Sequence, residues 1–390
     1  MEDASLPFSW RNRYRHEQWI AQPGELKFPT QMSWNFFCKK NILWYNQFRG
    51  LVMEQHENFQ SLNIKSKNRI IEIDYLKAFA IFLVVWGHFF ECFLSSHSTY
   101  IYHLIYMFHM PLFVFISGYL SKFKYKDLIK FGIICLVFHF IYGLFNCYIL
   151  GKSFNFNVLY PYWSLWYLFA MIIWKLTLPL IEKISNKYQP LVLVILFLFG
   201  ICAGTVSSIN RFLCLSRTIA FYPFFVLGYF NKKSGRFGFN LKLSNTFKII
   251  ILTAVLITFA LLTKLIKFSN SAFYMNDPYN GDTHSALQRL IIYIFALSVI
   301  ILLTSISLKK NNKLIELLSR NTLTVYLLHV FITFTFKKYH LFSSSNFSIF
   351  TSLLLSIIIV LLLSLIGELI LITKKKIIAK YKQKHQNNIT

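Results

Sequence analysis

One apolar stretch of this sequence carries Asp74, Lys77, His88 and Glu91, in IIEIDYLKAFAIFLVVWGHFFECF (70–93). Within a bilayer an Asp, Lys or Arg costs roughly 2.5–3.5 kcal/mol on insertion scales, so such positions are where function is sought. In a helix, the eleven-residue step from Lys77 to His88 returns to within about 20° of the same direction, about 16 Å further along. One stripe then carries a cation near one boundary and an imidazole some four turns in. Glu91, one turn beyond His88, is placed to hold its ring. A neutral imidazole so held can take a proton from a hydroxyl, and histidine has a suitable pKa for that work. The next stretch, IYHLIYMFHMPLFVFISGYL (101–120), adds His103 and His109. Running back, it sets His109 at a depth similar to that of His88, with His103 nearer the interface. Pro111 leaves a backbone carbonyl without its helical donor, and Ser117-Gly118 lets a neighbouring backbone approach. Plainer readings compete: Asp74 and Lys77 snorkelling as an i,i+3 pair, and His88 and His109 in structural hydrogen bonds.

The elements that must position these groups are membrane helices. Of 390 residues, 55% are apolar and 14% charged, and the mean hydropathy is +0.49. A soluble domain carries roughly 45–50% apolar and about 25% charged residues. The excess lies in runs such as IIILTAVLITFALLTKLI (249–266) and LLLSIIIVLLLSLIGELILI (353–372). About 18–20 such residues cross the bilayer core as a helix. A secreted disulfide scaffold, a disordered regulator and a soluble nucleotide-binding domain are excluded. The net charge of +26 clusters between apolar runs, which points to membrane orientation and not to a nucleic-acid partner. Five of the six cysteines (Cys38, Cys92, Cys135, Cys147, Cys202 and Cys214) lie in or beside apolar segments, and none forms a CxxC pair. They read as small buried apolar residues, with no metal site.

Spans are expected near 70–94, 101–121, 128–150, 164–184, 190–208, 212–230, 246–268, 286–308, 319–340 and 347–373. Alternate connections then hold 24 Lys and Arg on one side, from Lys65 to Lys384, and eight on the other, from Lys152 to Lys338. That asymmetry puts both termini in the cytoplasm. The expectation is an all-α polytopic membrane protein of about ten transmembrane helices, multi-pass in the cell inner (plasma) membrane. Residues 1–68 hold Trp10, Trp19, Trp34 and Trp44 and no long apolar run, and no signal peptide is read there. They are expected to be an interfacial or poorly ordered extension, outside the native product if translation begins at Met53. Residues 69–373 form the membrane domain, and 374–390 a basic cytoplasmic tail. The longest far-side connection, about 267–286, has its turn at NDPYNGD (276–282).

The strings DYLKAFAIFLVVWGH (74–88), YMFHMPLFVFISGYL (106–120) and WSLWYLF (163–169) resemble the membrane acyltransferase-3 family. FYPFFVLGYF (221–230) and SRNTLTVYLLH (319–329) fit the same pattern, and the likeness covers about residues 69–373. The "FHMPLF…SGY" form is similar to the fucose O-acetyltransferase and intercellular-adhesin branch. The resemblance implies transfer of acetyl, succinyl or similar groups onto extracytoplasmic saccharides. The family's basic residue, ten spacers and histidine fall on Lys77 and His88, with Lys where Arg is usual. Lys keeps the charge but not the two-point grip on phosphate. The family's serine-glycine motif falls on Ser117-Gly118. Nothing after residue 373 resembles the esterase-like domain that some members append.

The resemblance and the placement together imply acyl-CoA, most simply acetyl-CoA, as co-substrate, with no permanently bound cofactor. Asp74, Lys77, Ser117 and Gly118 would receive it from the cytoplasm. His88 would act as base on a hydroxyl of a saccharide or lipid-linked saccharide, with Glu91 and His109 orienting it or polarising the carbonyl. A covalent acyl-histidine is an open alternative. Trp163 and Trp166 would wall the saccharide, or simply anchor the interface, and Arg217 would contact an anionic group or snorkel. Lys175, His139, His329 and Glu368 rank lower, Glu368 and Lys175 as partners of other spans. Membrane lipids are the remaining partner. Four rival readings stand beside this one. A saccharide exporter predicts a polar-lined path, whereas intramembrane charges are sparse. The Asn-and-His class of membrane O-acyltransferases would rest on Asn321 and His329, only eight residues apart. A metal site on His88, His103 and His109 has the right ligands but no local geometry. A receptor would not need the polar stripe.

Overall fold

A computed structural model describes residues 70–92, 99–154, 156–206, 212–266, 268, 270–276, 278–279, 283–308, 310–341 and 348–386. The expected N-terminal extension, 1–68, lies outside the described residues, as does most of the 276–282 turn. Among the described residues every regular element is helical. In chain order the α-helices are α1 (Ile71–Cys92), α2 (Thr99–Leu120), α3 (Tyr125–Tyr148), α4 (Leu165–Glu182), α5 (Gln189–Cys202), α6 (Leu215–Lys233) and α7 (Asn245–Ile266). They are followed by α8 (Asn270–Tyr274), α9 (Thr283–Ser305), α10 (Lys313–Arg320), α11 (Thr322–Lys338) and α12 (Ile349–Gln386).

Each of the ten expected spans falls on a helix, and among the described residues eight helices are long and apolar enough to cross a membrane. The fold is therefore that of a polytopic membrane protein. Two spans differ from expectation. The stretch at 190–208 forms only the 14-residue α5, about 21 Å at 1.5 Å per residue, short of the roughly 30 Å bilayer core. Its end is fixed by side chains that take its last carbonyls. Arg289 Nη1 donates to Gly200 O at 3.0 Å and the Tyr279 hydroxyl donates to Ile201 O at 2.9 Å. The stretch at 319–340 is the second limb of a bent pair, α10 and α11, which meet at 71°. Asn321 sits at the bend, where its Nδ2 donates to Leu317 O (2.9 Å) and Glu368 Oε2 (3.3 Å). The Arg320 guanidinium pairs with Glu368 at 2.9 Å. Glu368 thus has its partner on another element, as does Lys175, which pairs with Asp127 at 3.0 Å.

Helix α2 is central: 83% of its apolar window is buried, against 11% for α7 at the periphery. It packs on α1, α6, α7, α8 and α9, while α1 packs on α2, α10, α11 and α12. The tightest crossing is α2 with α6. A Cβ on Gly118 would run into the Phe225 carbonyl oxygen, and one on Gly228 into that of Phe115. Small residues at such crossings let two backbones touch where apolar side chains alone gain nothing over lipid. Gly118 therefore sits at a helix contact, while its neighbour Ser117 lines a cavity.

Candidate active site

The C-terminal turns of α1 carry His88 and Glu91 as the i,i+3 spacing requires. His88 Nδ1 lies 2.9 Å from Glu91 Oε2. The Tyr106 hydroxyl, on α2, donates to the same oxygen at 2.9 Å. The Tyr274 hydroxyl, from the short α8, also interacts with Glu91. Burial, ahead of the Glu91 charge, pushes the Tyr274 phenol well above its ordinary value, so it remains a hydrogen-bond donor. A carboxylate can only accept, so the His88 proton sits on Nδ1 and Nε2 keeps its lone pair. The His88 side chain is 28% exposed, enough for a ligand to reach.

Two further imidazoles are held the same way. His109 Nδ1 donates to Ile105 O at 2.8 Å and His329 Nδ1 to Val325 O at 3.0 Å, each one turn back along its own helix. His329 is fully buried, its Nε2 makes no hydrogen bond, and its ring centroid is 5.0 Å from that of His88. His109 packs edge-on against Tyr106, with centroids 4.7 Å apart. His103 stacks on Phe273 with ring centroids 4.7 Å apart. Among the described residues no three His, Cys, Asp or Glu side chains are arranged to hold a metal ion.

Arg217, in the first turn of α6, reaches the same neighbourhood. Its guanidinium lies over the rings of Trp166 (5.3 Å) and Tyr274 (5.5 Å), and Nε donates to Tyr274 O at 2.9 Å. The neighbouring Ser216 hydroxyl donates to Met275 O at 2.9 Å, so the start of α6 pins α8 beside Glu91. Trp163 goes elsewhere. It takes a positive φ of 32° and stacks on Phe334 of α11 with centroids 4.6 Å apart. The two tryptophans thus have different ring partners.

Towards the other end of α1, Lys77 lines a cavity of about 270 Å³ with Ser117, Tyr167, Tyr326 and Lys175. The Ser117 hydroxyl bonds to Phe113 O and to the Tyr167 hydroxyl. Asp74 accepts from the Ser319 hydroxyl at 2.5 Å and is not among the cavity's lining residues. Tyr326, in the cavity wall, is one turn before His329 on α11, with ring centroids 6.1 Å apart. Lys77 and Ser117 are thus brought together at one end of the bundle, and His88, Glu91, His109, Arg217 and Trp166 cluster towards the other.

A family model described as an acyltransferase domain matches residues 70–372. The chain belongs to the acyltransferase-3 family. The matched region begins at the start of α1 and takes in both the imidazole cluster and the Lys77 cavity. No curated protein and no solved structure is similar enough to match the chain. As an acyltransferase of this family it is a multi-pass membrane enzyme.

Reading the sequence alone did not bring Tyr106 and Tyr274 into the site, and ranked His329 low. Tyr106 lies within the family-like string YMFHMPLFVFISGYL (106–120), and His329 ends another, which is the signal that marks them. Tyr274 carries no such signal, because a five-residue helix is too short to show a period.

Proposed function

We propose that this acyltransferase moves an acyl group, most simply acetyl, from cytoplasmic acyl-CoA to a hydroxyl of an extracytoplasmic saccharide. In this reading the protein lies in the cell inner membrane with both termini in the cytoplasm, in the fucose O-acetyltransferase and adhesin-like branch. The observation that carries the proposal is the His88–Glu91 pair, with Tyr106 fixing the second member. Glu91 holds His88 in the tautomer whose Nε2 can take a proton. The saccharide hydroxyl gives its proton to that nitrogen as its oxygen attacks the thioester carbonyl. The C–S bond breaks as the new C–O bond forms, and the CoA thiolate leaves. His88 then returns the proton to the thiolate or to solvent. Help of this kind is worth about 10²–10⁴-fold in rate.

The Lys77 cavity supports a donor entering from the opposite end. It is mostly apolar, and Tyr326 in its wall lies one turn before His329 on α11. Arg217, held between Trp166 and Tyr274, would offer its guanidinium to an anionic group of a saccharide or lipid-linked saccharide. Mass spectrometry of surface saccharides tests the proposal in cells with the wild type, His88→Ala or no protein. An increment of one acyl group per repeat in the wild type alone is the expected result. An acylated product with His88→Ala removes the base from the mechanism. An unchanged saccharide mass with altered export in the deletion strain favours the exporter instead.

A further inference from the structure

The Lys77 cavity, at about 270 Å³, lies below the roughly 300–1,000 Å³ of sites for drug-sized ligands. It suits a slender acyl-pantetheine arm but not a nucleotide as well. A second cavity, of about 470 Å³, adjoins it, lined by Lys122, Phe123, Glu182, Tyr229, Lys232 and Lys233. Residues 121–122 connect the two. Ser121 lines the first cavity and Lys122 the second. Lys232 Nζ, from the second, donates to the Ser121 carbonyl oxygen, and Lys175 Nζ, from the first, donates to Lys122 O at 3.0 Å.

Positive charge is concentrated there. Lys232 lies within electrostatic reach of both Lys122 and Lys175. Lys233 adds a fourth ammonium, with Nζ 2.7 Å from Glu182 O and 3.0 Å from Ile184 O. Against these stand Glu182 and Asp127, and Asp127 is already paired with Lys175. An ammonium carries three N–H donors, and Lys232 and Lys233 spend only part of theirs on carbonyls. Such a cluster, in a cavity large enough for a ligand, attracts a multiply charged anion.

We infer that this second cavity seats the phosphates of the donor's nucleotide, with Lys122, Lys232 and Lys233 as their contacts. The inference rests on the proposed acyl-CoA donor. It moves phosphate binding away from Lys77, which lines the narrow cavity beside Ser117 and Tyr167 and so flanks the arm.

The test measures binding of acetyl-CoA and of S-acetylpantetheine, which has no phosphate, to the full chain in nanodiscs. Lys122→Gln is the primary variant. Its side chain is exposed, and the substitution leaves untouched the backbone carbonyl that Lys175 uses. Lys122→Gln should weaken acetyl-CoA about tenfold, and Lys232→Gln with Lys233→Gln by more, while S-acetylpantetheine binds as before. Unchanged acetyl-CoA binding in Lys122→Gln and in the double variant overturns the seat and leaves the donor assignment standing. Equal loss of both ligands also overturns it, since the lysines would then only hold the structure. A wild-type protein that binds no acetyl-CoA overturns the donor assignment, and the seat with it. Should the double variant fail to fold, Lys122→Gln alone decides.

Discussion

His88, His109 and His329 each present Nδ1 to an oxygen that can only accept, one a carboxylate and two backbone carbonyls. All three rings therefore keep the lone pair on Nε2, but only His88 has a charged partner, which would stabilise the imidazolium formed in the proposed mechanism. Glu91→Gln tests that difference. The amide oxygen still accepts from Nδ1, so geometry survives while the charge is lost. Acyl incorporation from labelled acetyl-CoA into membrane saccharide should fall about tenfold, because a hydrogen bond to a charged partner is worth roughly 1.5–3 kcal/mol and one to a neutral partner about 0.5–1.5. His88→Gln should fall further, towards the full 10²–10⁴-fold of a missing base. Equal rates for wild type and Glu91→Gln would leave Glu91 a structural residue. The His88–Glu91 pair was legible in the sequence because i and i+3 meet on any helix. Its other neighbours were not. Tyr106 touches Glu91 from fifteen residues away, and His329 reaches His88 only through the packing of α11 on α1.

At the scale of the element, long apolar runs made most helices readable, and two exceptions have local causes. Helix α5 stops where Tyr279 and Arg289 take its terminal carbonyls, partners that no local pattern reveals. The α10–α11 bend turns on Asn321, wedged against Gly367 and Glu368 of α12, so it depends on a contact nearly fifty residues away. The α2–α6 crossing was partly legible in Ser117-Gly118. Its other half, Gly228, was identified only as part of a family-like string. Gly228→Ala should force the two backbones apart and cost about 1–3 kcal/mol, as overpacking does. Gly132→Ala is the matched control, because nothing lies within 4 Å of a Cβ there. Melting of the two purified variants in one detergent should show a lower midpoint for Gly228→Ala only. A midpoint equal to the wild type in both would mean that α2 and α6 part without cost.

For the whole molecule, the separation between the Lys77 cavity and the His88 cluster matters only if the two ends face different compartments. In the proposed reading Lys77 opens to the cytoplasm, where acyl-CoA is made, and His88 lies towards the saccharide, the orientation that the three-to-one asymmetry of Lys and Arg predicts. Helix α12 fits this arrangement. At 38 residues it extends about 57 Å, past the roughly 30 Å core, and its excess is the basic segment after residue 373. Lys152, after α3, and Lys313, at the start of α10, are both exposed and fall on opposite sides in this reading. In a chain whose native cysteines are replaced, Lys152→Cys should react with a membrane-impermeant maleimide in intact cells. Lys313→Cys should react only after permeabilisation. The reversed pattern would place the donor cavity outside, where no acyl-CoA is available. The His88–Glu91 pair would then need a different acyl source, and the lysine cluster a different anion.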